Sequence, residues 1–544
     1  SHDKPQLHLI SAEGGEAHQL CAMPNGISQL EWSPDGKRLA FLSVEGAEPA
    51  SDPIVLGPDR HTRLWSIRAD YTVPEPVTPD GITVWEFVWS PDSQTFALFF
   101  ATQPDENDWY RGQVGTVPAA GGSVRQRTHL DWRQACSFVW SPDGTRLAYM
   151  TGRWSDPGLC AGDIAILNLS TDEIHLLTPD SKVSFDSCHW YPDGQSLLFS
   201  AWSGVTNQIG RIAVADGAIT LLEEDFVQLP FLSHLSHSSD LSRFVVVHAS
   251  PHQPSDLWAG RISEGGTVSW QRLTRLNPLV EETYTLATSR RIRYPSVDGW
   301  EIDAIFTLPI NPPAGKLPPL FVNVHGGPSF AWTDGFGGSY SQLLQLLASH
   351  GYAVLSANIR GSWGRGTEFA DAVIGDIGGK DFQDLLKGVD YLVEQGLVDG
   401  ERVAIGGWSY GGFMPAWAVT QTNRFKAAIM GAGISDWHGS QAQAGYQDAN
   451  TLFMGVDYLK DPETFHKHSP ITYADRVTTP TLILHGENDT AVPVSQAYAF
   501  YRALKERNVP VECVIYPREG HGLSEQAHGR DAEERILRWL ERYV

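Results

Sequence analysis

The residues of this 544-residue chain most able to do chemistry lie in its C-terminal half. Ser409 is the centre of Gly-Trp-Ser-Tyr-Gly (residues 407–411), directly after the run Arg-Val-Ala-Ile (402–405). A serine between two such glycines is typical of a sharp strand-to-helix turn, because a Cβ on either side would collide with neighbouring chain. The hydroxyl of such a serine becomes a strong nucleophile when a base removes its proton.

Two further residues complete a predicted catalytic triad. Asp489 follows the apolar run 481–484, and His521 follows the run 511–516. Each lies just past the end of a predicted strand, and the order Ser, Asp, His is that of α/β-hydrolases. Histidine suits the role of base because its ordinary pKa is near neutrality, and the aspartate would orient the ring and stabilise the imidazolium. The pattern predicts an α/β-hydrolase that forms an acyl-enzyme on Ser409.

An oxyanion site is expected beside this serine. His-Gly-Gly-Pro (325–328) follows the apolar run 320–324, where this fold places one of its oxyanion donors. We predict that the backbone N–H groups of Tyr410 and Gly327 bind the oxyanion. One such donor typically contributes about 100- to 1,000-fold in rate. His325 itself either braces this loop or packs in the core.

The composition restricts the partners. Acidic residues outnumber basic ones by 64 to 40, which gives a net charge of −24, and no basic run occurs. This argues against nucleic acid and anionic membranes as partners. No apolar stretch approaches the roughly 18 to 20 residues that span a bilayer, and the first residues lack the features of a signal peptide.

The cysteines and histidines indicate neither a disulfide framework nor a metal site. The five cysteines form no C-x-x-C pair, and the histidines form no H-E-x-x-H pattern. We therefore expect reduced thiols in a cytoplasmic protein, with no metal and no cofactor.

One phrase recurs in the first half of the chain. Trp-Ser-Pro-Asp or Trp-Tyr-Pro-Asp begins at residues 32, 89, 140 and 190, and a degenerate copy covers 237–240, so the period is about 50 residues. Proline presets φ and aspartate bonds back to the chain, so each phrase predicts a turn between two strands. The period predicts propeller blades, with the tryptophans at one core position rather than in a ligand-stacking stripe. Five full units fit between residues 23 and 276.

Residues 6–21 have the pattern of the last two strands of a further blade that has no beginning. We expect the chain to start inside a blade, so that a ring is completed by upstream residues or a separately cleaved piece, or closes in an unusual way. A boundary near residues 280–284 divides the chain into a β-propeller of residues 1–282 and an α/β-hydrolase domain of residues 283–544.

Taken together, these phrases resemble the prolyl oligopeptidase family of serine peptidases, and within it the bacterial acylaminoacyl peptidase branch. The resemblance covers essentially the whole chain and rests also on Asn-Ile-Arg-Gly-Ser (358–362), Gly-Gly-Lys-Asp-Phe (378–382) and Ser-Pro-Ile (469–471). It implies a seven-bladed propeller that here lacks about its first blade and a half. It also implies hydrolysis of short peptides, because the propeller covers the active site, and it makes a homo-oligomer possible.

One departure from the family concerns substrate binding. Relatives commonly carry arginine two positions after the triad aspartate, where this chain has Ala491. We predict that Arg360 or Arg365 supplies the missing cation beside Ser409, the alternative being that both form structural ion pairs. The S1 pocket is expected to be apolar, with candidates that could equally be core residues: Tyr410, Phe413, Trp332, Phe336 and Trp437.

Several functions stay open. The leading hypothesis is an acylaminoacyl-peptidase-like exo- or oligopeptidase. The alternatives are a serine carboxypeptidase, a dipeptidyl-peptidase-like enzyme or an esterase with the same triad, and, more remotely, a non-catalytic propeller that binds proteins. The paired acidic residues by which dipeptidyl peptidases bind a free amino terminus find no convincing match. Glu281 and Glu282 lie in the predicted linker, and residues 223–225 are expected to form a solvated blade end.

Overall fold

The computed structural model describes residues 4–46, 60–228, 235–312, 315–337 and 343–544. Within these ranges, the first half of the chain forms five successive four-stranded antiparallel sheets and one two-stranded sheet. The two-stranded sheet pairs β1 (Leu7–Leu9) with β2 (His18–Cys21), which are the two strands expected in residues 6–21.

Each four-stranded sheet is a meander of strands that follow one another in the chain. The strands are β3 (Ser28–Trp32), β4 (Arg38–Val44), β5 (Thr62–Arg68) and β6 (Glu75–Pro76); β7 (Thr83–Trp89), β8 (Thr95–Ala101), β9 (Gln113–Pro118) and β10 (Arg125–Gln126); β11 (Gln134–Trp140), β12 (Arg146–Gly152), β13 (Asp163–Asn168) and β14 (Ile174–Leu176); β15 (Ser184–Trp190), β16 (Ser196–Ser203), β17 (Thr206–Ala213) and β18 (Ile219–Phe226); and β19 (Ser236–His237), β20 (Arg243–Ser250), β21 (Gln253–Ile262) and β22 (Val268–Arg272).

The recurring phrase forms the turn between the first two strands of each sheet. In the second sheet, Ser90 Oγ donates to Asp92 at 2.6 Å and accepts the N–H of Thr95 at 2.9 Å. The repeated tryptophans link neighbouring sheets, since Trp140 donates to the Val88 carbonyl at 3.4 Å and Trp190 to the Val139 carbonyl at 3.1 Å. Successive meanders joined in this way have the arrangement of propeller blades. Trp32 departs from the expected core position, because it is 50% exposed.

The second half is built on an eight-stranded sheet. Helix α1 (Pro278–Thr283) precedes it, and the division near residue 282 stays our proposal. The sheet order is β23-β24-β26-β25-β27-β28-β29-β30. The strands are β23 (Ser289–Pro295), β24 (Glu301–Thr307), β25 (Leu320–Val324), β26 (Ala353–Asn358), β27 (Val403–Trp408), β28 (Ala427–Gly431), β29 (Thr481–Gly486) and β30 (Val511–Tyr516). β23 and β24 are antiparallel to their neighbours and the other six strands are parallel.

Helices cover both faces of this sheet because its strands are apolar on both sides. In β25, Leu320, Val322 and Val324 enter one core and Phe321 enters the other, as the alternation of side chains along a strand requires. The helices are α2 (Leu344–Ser349), α3 (Thr367–Asp371), α4 (Lys380–Glu394), α5 (Tyr410–Gln421), α6 (Trp437–Gln441), α7 (Gln447–Met454), α8 (Pro462–Lys467), α9 (Ser495–Glu506) and α10 (Gln526–Tyr543). The carboxyl ends of the parallel strands meet at one edge, where such sheets place their functional groups.

Candidate active site

Ser409 lies in a sharp turn between β27 and α5. Its backbone has φ 63° and ψ −122°, a conformation that non-glycine residues rarely adopt. The glycines at 407 and 411 allow the turn, because a Cβ at either position would collide with the carbonyl oxygen of Val324 on the neighbouring strand β25. The sequence around Ser409 therefore fixes its hydroxyl at the carboxyl edge of the sheet.

The three predicted triad side chains are in hydrogen-bond contact. Ser409 Oγ lies 2.9 Å from Nε2 of His521, and Nδ1 of the same ring lies 2.8 Å from Asp489 Oδ2. With Nδ1 protonated and donating to the carboxylate, Nε2 is free to accept the serine proton. Asp489 Oδ1 accepts the backbone N–H groups of Ala491 at 3.0 Å and Val492 at 2.8 Å, which fixes the carboxylate.

The surroundings of the triad set the ionisation states of Asp489 and His521. Burial opposes ionisation of Asp489, but hydrogen bonds from His485 and His521 lower its pKa to about 2. Burial alone would lower the pKa of His521, whereas the hydrogen bond and charge of Asp489 and the charge of Asp156 raise it above the ordinary value. At neutral pH the aspartate is therefore ionised, and it favours an imidazolium on His521.

Two contacts hold the loop that carries His521. Trp408 Nε1 donates to the backbone carbonyl of His521 at 2.6 Å. Glu519, two residues earlier, is 1% exposed and accepts hydrogen bonds from Ser524 and Glu525 of the following chain and from His528 on α10. The histidine is thus positioned by groups before and after it in the chain.

The glycine-rich loop after β25 lies on the other side of Ser409. Gly327 has φ +109°, and it lines the same cavity as Ser409 and Tyr410. His325 is buried and lies between the Ser362 hydroxyl and the Gly326 carbonyl, each at 2.7 Å. Burial lowers the pKa of His325 to about 4, so the ring is neutral at pH 7. His325 braces the loop.

A small cavity of ≈ 60 Å³ adjoins the serine and histidine. Both halves of the chain line it, since Ser155 and Asp156 from the segment between β12 and β13 face the hydrolase residues. The lining residues are Ser155, Asp156, Gly327, Pro328, Ile377, Ser409, Tyr410, Ile434, Trp437, Tyr446, Ala449, Asn450, Phe453, Ala491, Val492 and His521.

Of the predicted S1 candidates, Tyr410 and Trp437 line this cavity and the other three do not. Trp332 is buried, with its indole N–H donating to the Asn323 carbonyl at 3.1 Å. Phe413 is fully buried in the core of the hydrolase domain, and Phe336 is half-buried outside the lining. Sequence analysis missed Ile377, Ile434 and Phe453, which supply apolar wall but carry no motif.

The predicted subsite cation is not supplied by Arg360 or Arg365, neither of which lines the cavity. Arg360 is 3% exposed and binds Asp384, with Nη2 to Oδ1 at 3.0 Å, because two carboxylates distant in sequence surround it. Arg365 pairs with Asp303 at 3.8 Å and stacks over Phe369. Both arginines therefore form structural ion pairs, which was the alternative expected from the sequence.

The acidic pairs considered as amine anchors are engaged elsewhere. Glu281 pairs with Arg272, and Glu282 lies 3.5 Å from Arg275. Glu223 accepts the indole N–H of Trp270 at 2.9 Å. None of these carboxylates lines the cavity beside Ser409.

The chain is similar to several known peptidases. Residues 338–544 match the prolyl oligopeptidase family. An uncharacterized peptidase of Bacillus subtilis, YuxL, is 29% identical over 587 aligned positions, covering 100% of this chain and 87% of the relative. The acylamino-acid-releasing enzyme of Arabidopsis thaliana is 28% identical over 591 positions, covering 99% and 71%.

A solved structure shares the fold. The acylaminoacyl peptidase of Pyrococcus horikoshii superimposes with a TM-score of 0.80 at 23% identity, over 98% of this chain and 84% of that one. No helix within the described ranges is long and apolar enough to cross a membrane. The match to the prolyl oligopeptidase family covers all three triad residues, and the motifs, the fold and the relatives agree with it.

Proposed function

We propose that this chain hydrolyses short peptides as an acylaminoacyl-peptidase-like exo- or oligopeptidase, through an acyl-enzyme on Ser409. The observation that carries the proposal is the continuous hydrogen-bond chain from Ser409 through His521 to Asp489, with contacts of 2.9 and 2.8 Å. Relatives named acylamino-acid-releasing enzymes, from plants and mammals, support the substrate class.

The roles of the residues follow from their positions. His521 takes the proton as Ser409 Oγ attacks the scissile carbonyl carbon, and Asp489 stabilises the imidazolium. The N–H groups of Gly327 and Tyr410 bind the oxyanion, and His521 then gives its proton to the leaving amine. In the second half, His521 takes a proton from the water that attacks the acyl-enzyme and then returns it to Ser409 Oγ as the acid leaves.

The propeller restricts the substrate to short chains. Ser155 and Asp156 from the propeller line the cavity beside Ser409, which leaves little room above the nucleophile. Cross-domain ion pairs support a closed arrangement: Arg111 pairs with Asp448, and Arg153 Nη1 lies 2.5 Å from Asp371. A seven-bladed ring, a cytoplasmic location and a homo-oligomer stay predictions.

Covalent labelling tests the proposal. A serine-directed phosphonate should label Ser409 alone, and Ser409→Ala should remove both the label and about 10⁶-fold of peptide hydrolysis while the circular-dichroism spectrum is unchanged. Ser349→Ala, at an exposed serine on α2, is the matched control and should keep both. Labelling at another residue, or hydrolysis by the Ser409 variant at the wild-type rate, would refute the assignment.

A further inference from the structure

Apart from His521, the cavity beside Ser409 contains one charged side chain, Asp156. The other lining residues, drawn from the described part of the chain, are apolar or neutral. Asp156 comes from the propeller, about 250 residues before the nucleophile in the sequence. It belongs to no part of the proposed triad or oxyanion site.

The carboxylate of Asp156 is held in place by contacts from both halves of the chain. Ser155 Oγ donates to Asp156 Oδ2 at 2.6 Å. That hydroxyl accepts the backbone N–H of Ser329 at 3.2 Å, and the Ser155 carbonyl accepts the Tyr110 hydroxyl at 2.6 Å. Oδ1 has no hydrogen-bond partner within the described residues. One oxygen is thus used for positioning, and the other is left for a ligand.

Within the described residues, no arginine or lysine lines the cavity to pair with this carboxylate. Position 491 is alanine, and the arginines at 360 and 365 are occupied by Asp384 and Asp303. Burial raises the pKa of Asp156, and the charge of His521 acts in the opposite direction. Asp156 is half-buried and has no arginine or lysine partner in the cavity, so an ammonium group of a ligand would be bound favourably there.

A second polar group in the same cavity also lacks a partner. Nδ2 of Asn450, on α7, is buried and has no hydrogen-bond partner within the described ranges. The remaining wall is apolar and includes Ile434, Trp437 and Phe453. The cavity therefore offers an apolar wall for a side chain, an amide N–H for a carbonyl, and a carboxylate for an ammonium group.

We infer that Asp156 binds the α-ammonium group of the substrate, so that the preferred substrates are short peptides with a free amino terminus. The cavity of ≈ 60 Å³ is small, which favours a short α-ammonium over the long side chain of lysine. This inference rests on the serine-peptidase chemistry of the proposed function, and it departs from the acylated substrates named for the relatives, because an N-acylated substrate brings no charge to Asp156. The triad chemistry is the same in either case.

Matched fluorogenic amides test the inference. For alanyl and N-acetyl-alanyl coumarin amides, whose side chain is small enough for this cavity, the wild-type kcat/KM should favour the free amine at least about tenfold. Asp156→Asn should lower kcat/KM for the free amine by about 10- to 100-fold, since a hydrogen bond to a charged group is lost, and change it for the acetylated amide by less than about threefold. Asp193→Asn, which removes one charge from an exposed propeller turn, should change neither.

A second variant covers the case in which Asp156→Asn fails to fold. Ala491→Arg places a guanidinium in the same cavity and should neutralise Asp156, so that the preference moves at least about tenfold towards the acetylated amide. N-acetyl-lysyl amide identifies the source of the ammonium. Preference for it over alanyl amide would overturn the α-amine assignment.

Two results separate the inference from the proposed function. Equal kcat/KM for free and acetylated amides, or equal losses on both in Asp156→Asn, would overturn the inference and leave the peptidase intact. Hydrolysis of every amide by Ser409→Ala at the wild-type rate would instead overturn the proposed function.

Discussion

Glu519→Gln should weaken the loop that positions His521. The Glu519 carboxylate accepts the N–H and hydroxyl of Ser524, each at 2.8 Å, the N–H of Glu525 at 2.9 Å and Nδ1 of His528 at 2.7 Å. Burial opposes ionisation, but these donors lower the pKa from 4.5 to about 2. Hydrogen bonds to a charged group typically contribute about 1.5 to 3 kcal/mol, so loss of this set should lower the free energy of unfolding by roughly 3 kcal/mol. Glutamine at this position keeps one acceptor oxygen, but its amide NH₂ group would face N–H and O–H donors and could not accept from them. Most of this stabilisation should therefore be lost.

The pH dependence has a definite sign. The native pKa of Glu519 lies below its ordinary value, so its contribution is complete above about pH 4.5 and disappears as the pH falls towards 2. Urea unfolding followed by tryptophan fluorescence should therefore give a lower midpoint for Glu519→Gln at pH 5 to 8, with the gap to wild type narrowing below pH 4.5. At pH 7.5 the variant should also lose at least about tenfold in kcat/KM. Glu534→Gln, at an exposed site on α10, is the matched control, and wild-type midpoints and kcat/KM for Glu519→Gln would refute the reasoning.

Three further measurements concern the triad. kcat/KM should rise with pH through an apparent pKa above 6.5, because only neutral His521 accepts the serine proton and Asp489 raises its pKa; a midpoint below pH 6 would contradict this. Asp489→Asn should lower kcat about 10⁴-fold on a fluorogenic amide, and a loss under tenfold would show that the aspartate does not orient the ring. Trp408→Phe removes the hydrogen bond to the His521 carbonyl, so kcat/KM should fall about fivefold, while the free energy of unfolding falls by only about 1 kcal/mol. A change in kcat/KM under twofold would show that other contacts hold the loop of His521 in position.

Local chemistry made much of the fold predictable. The glycines beside Ser409 are required by the neighbouring strand, and each triad residue follows an apolar strand whose length and composition are evident in the sequence. The propeller repeat was equally predictable, since the Ser-Pro-Asp turn is stabilised by a hydrogen bond between its own side chains, as between Ser90 and Asp92. In both cases the residues that identify the feature lie within a few positions of one another in the sequence.

Residues whose surroundings come from distant parts of the chain were not predictable in this way. Arg360 looked available for substrate because its partners, Asp298 and Asp384, lie 62 and 24 residues away in the sequence. The sequence predicts Trp332 as a pocket residue, but the hydrogen bond from its indole to the Asn323 carbonyl holds the side chain in the core. Asp156 gave no signal, because the loop that carries it has no repeat or motif.

The contrast between Ser409 and Asp156 bears on how function varies in this architecture. The nucleophile, base and carboxylate all come from one sheet, whereas part of the wall above them comes from a propeller loop. A substitution in that loop can change the charge beside the scissile bond without moving the triad. Relatives at 28 or 29% identity can therefore share the peptidase chemistry and differ in substrate. The charges at positions 156 and 491, taken together, distinguish a cavity suited to an ammonium group from one suited to a neutral acyl group.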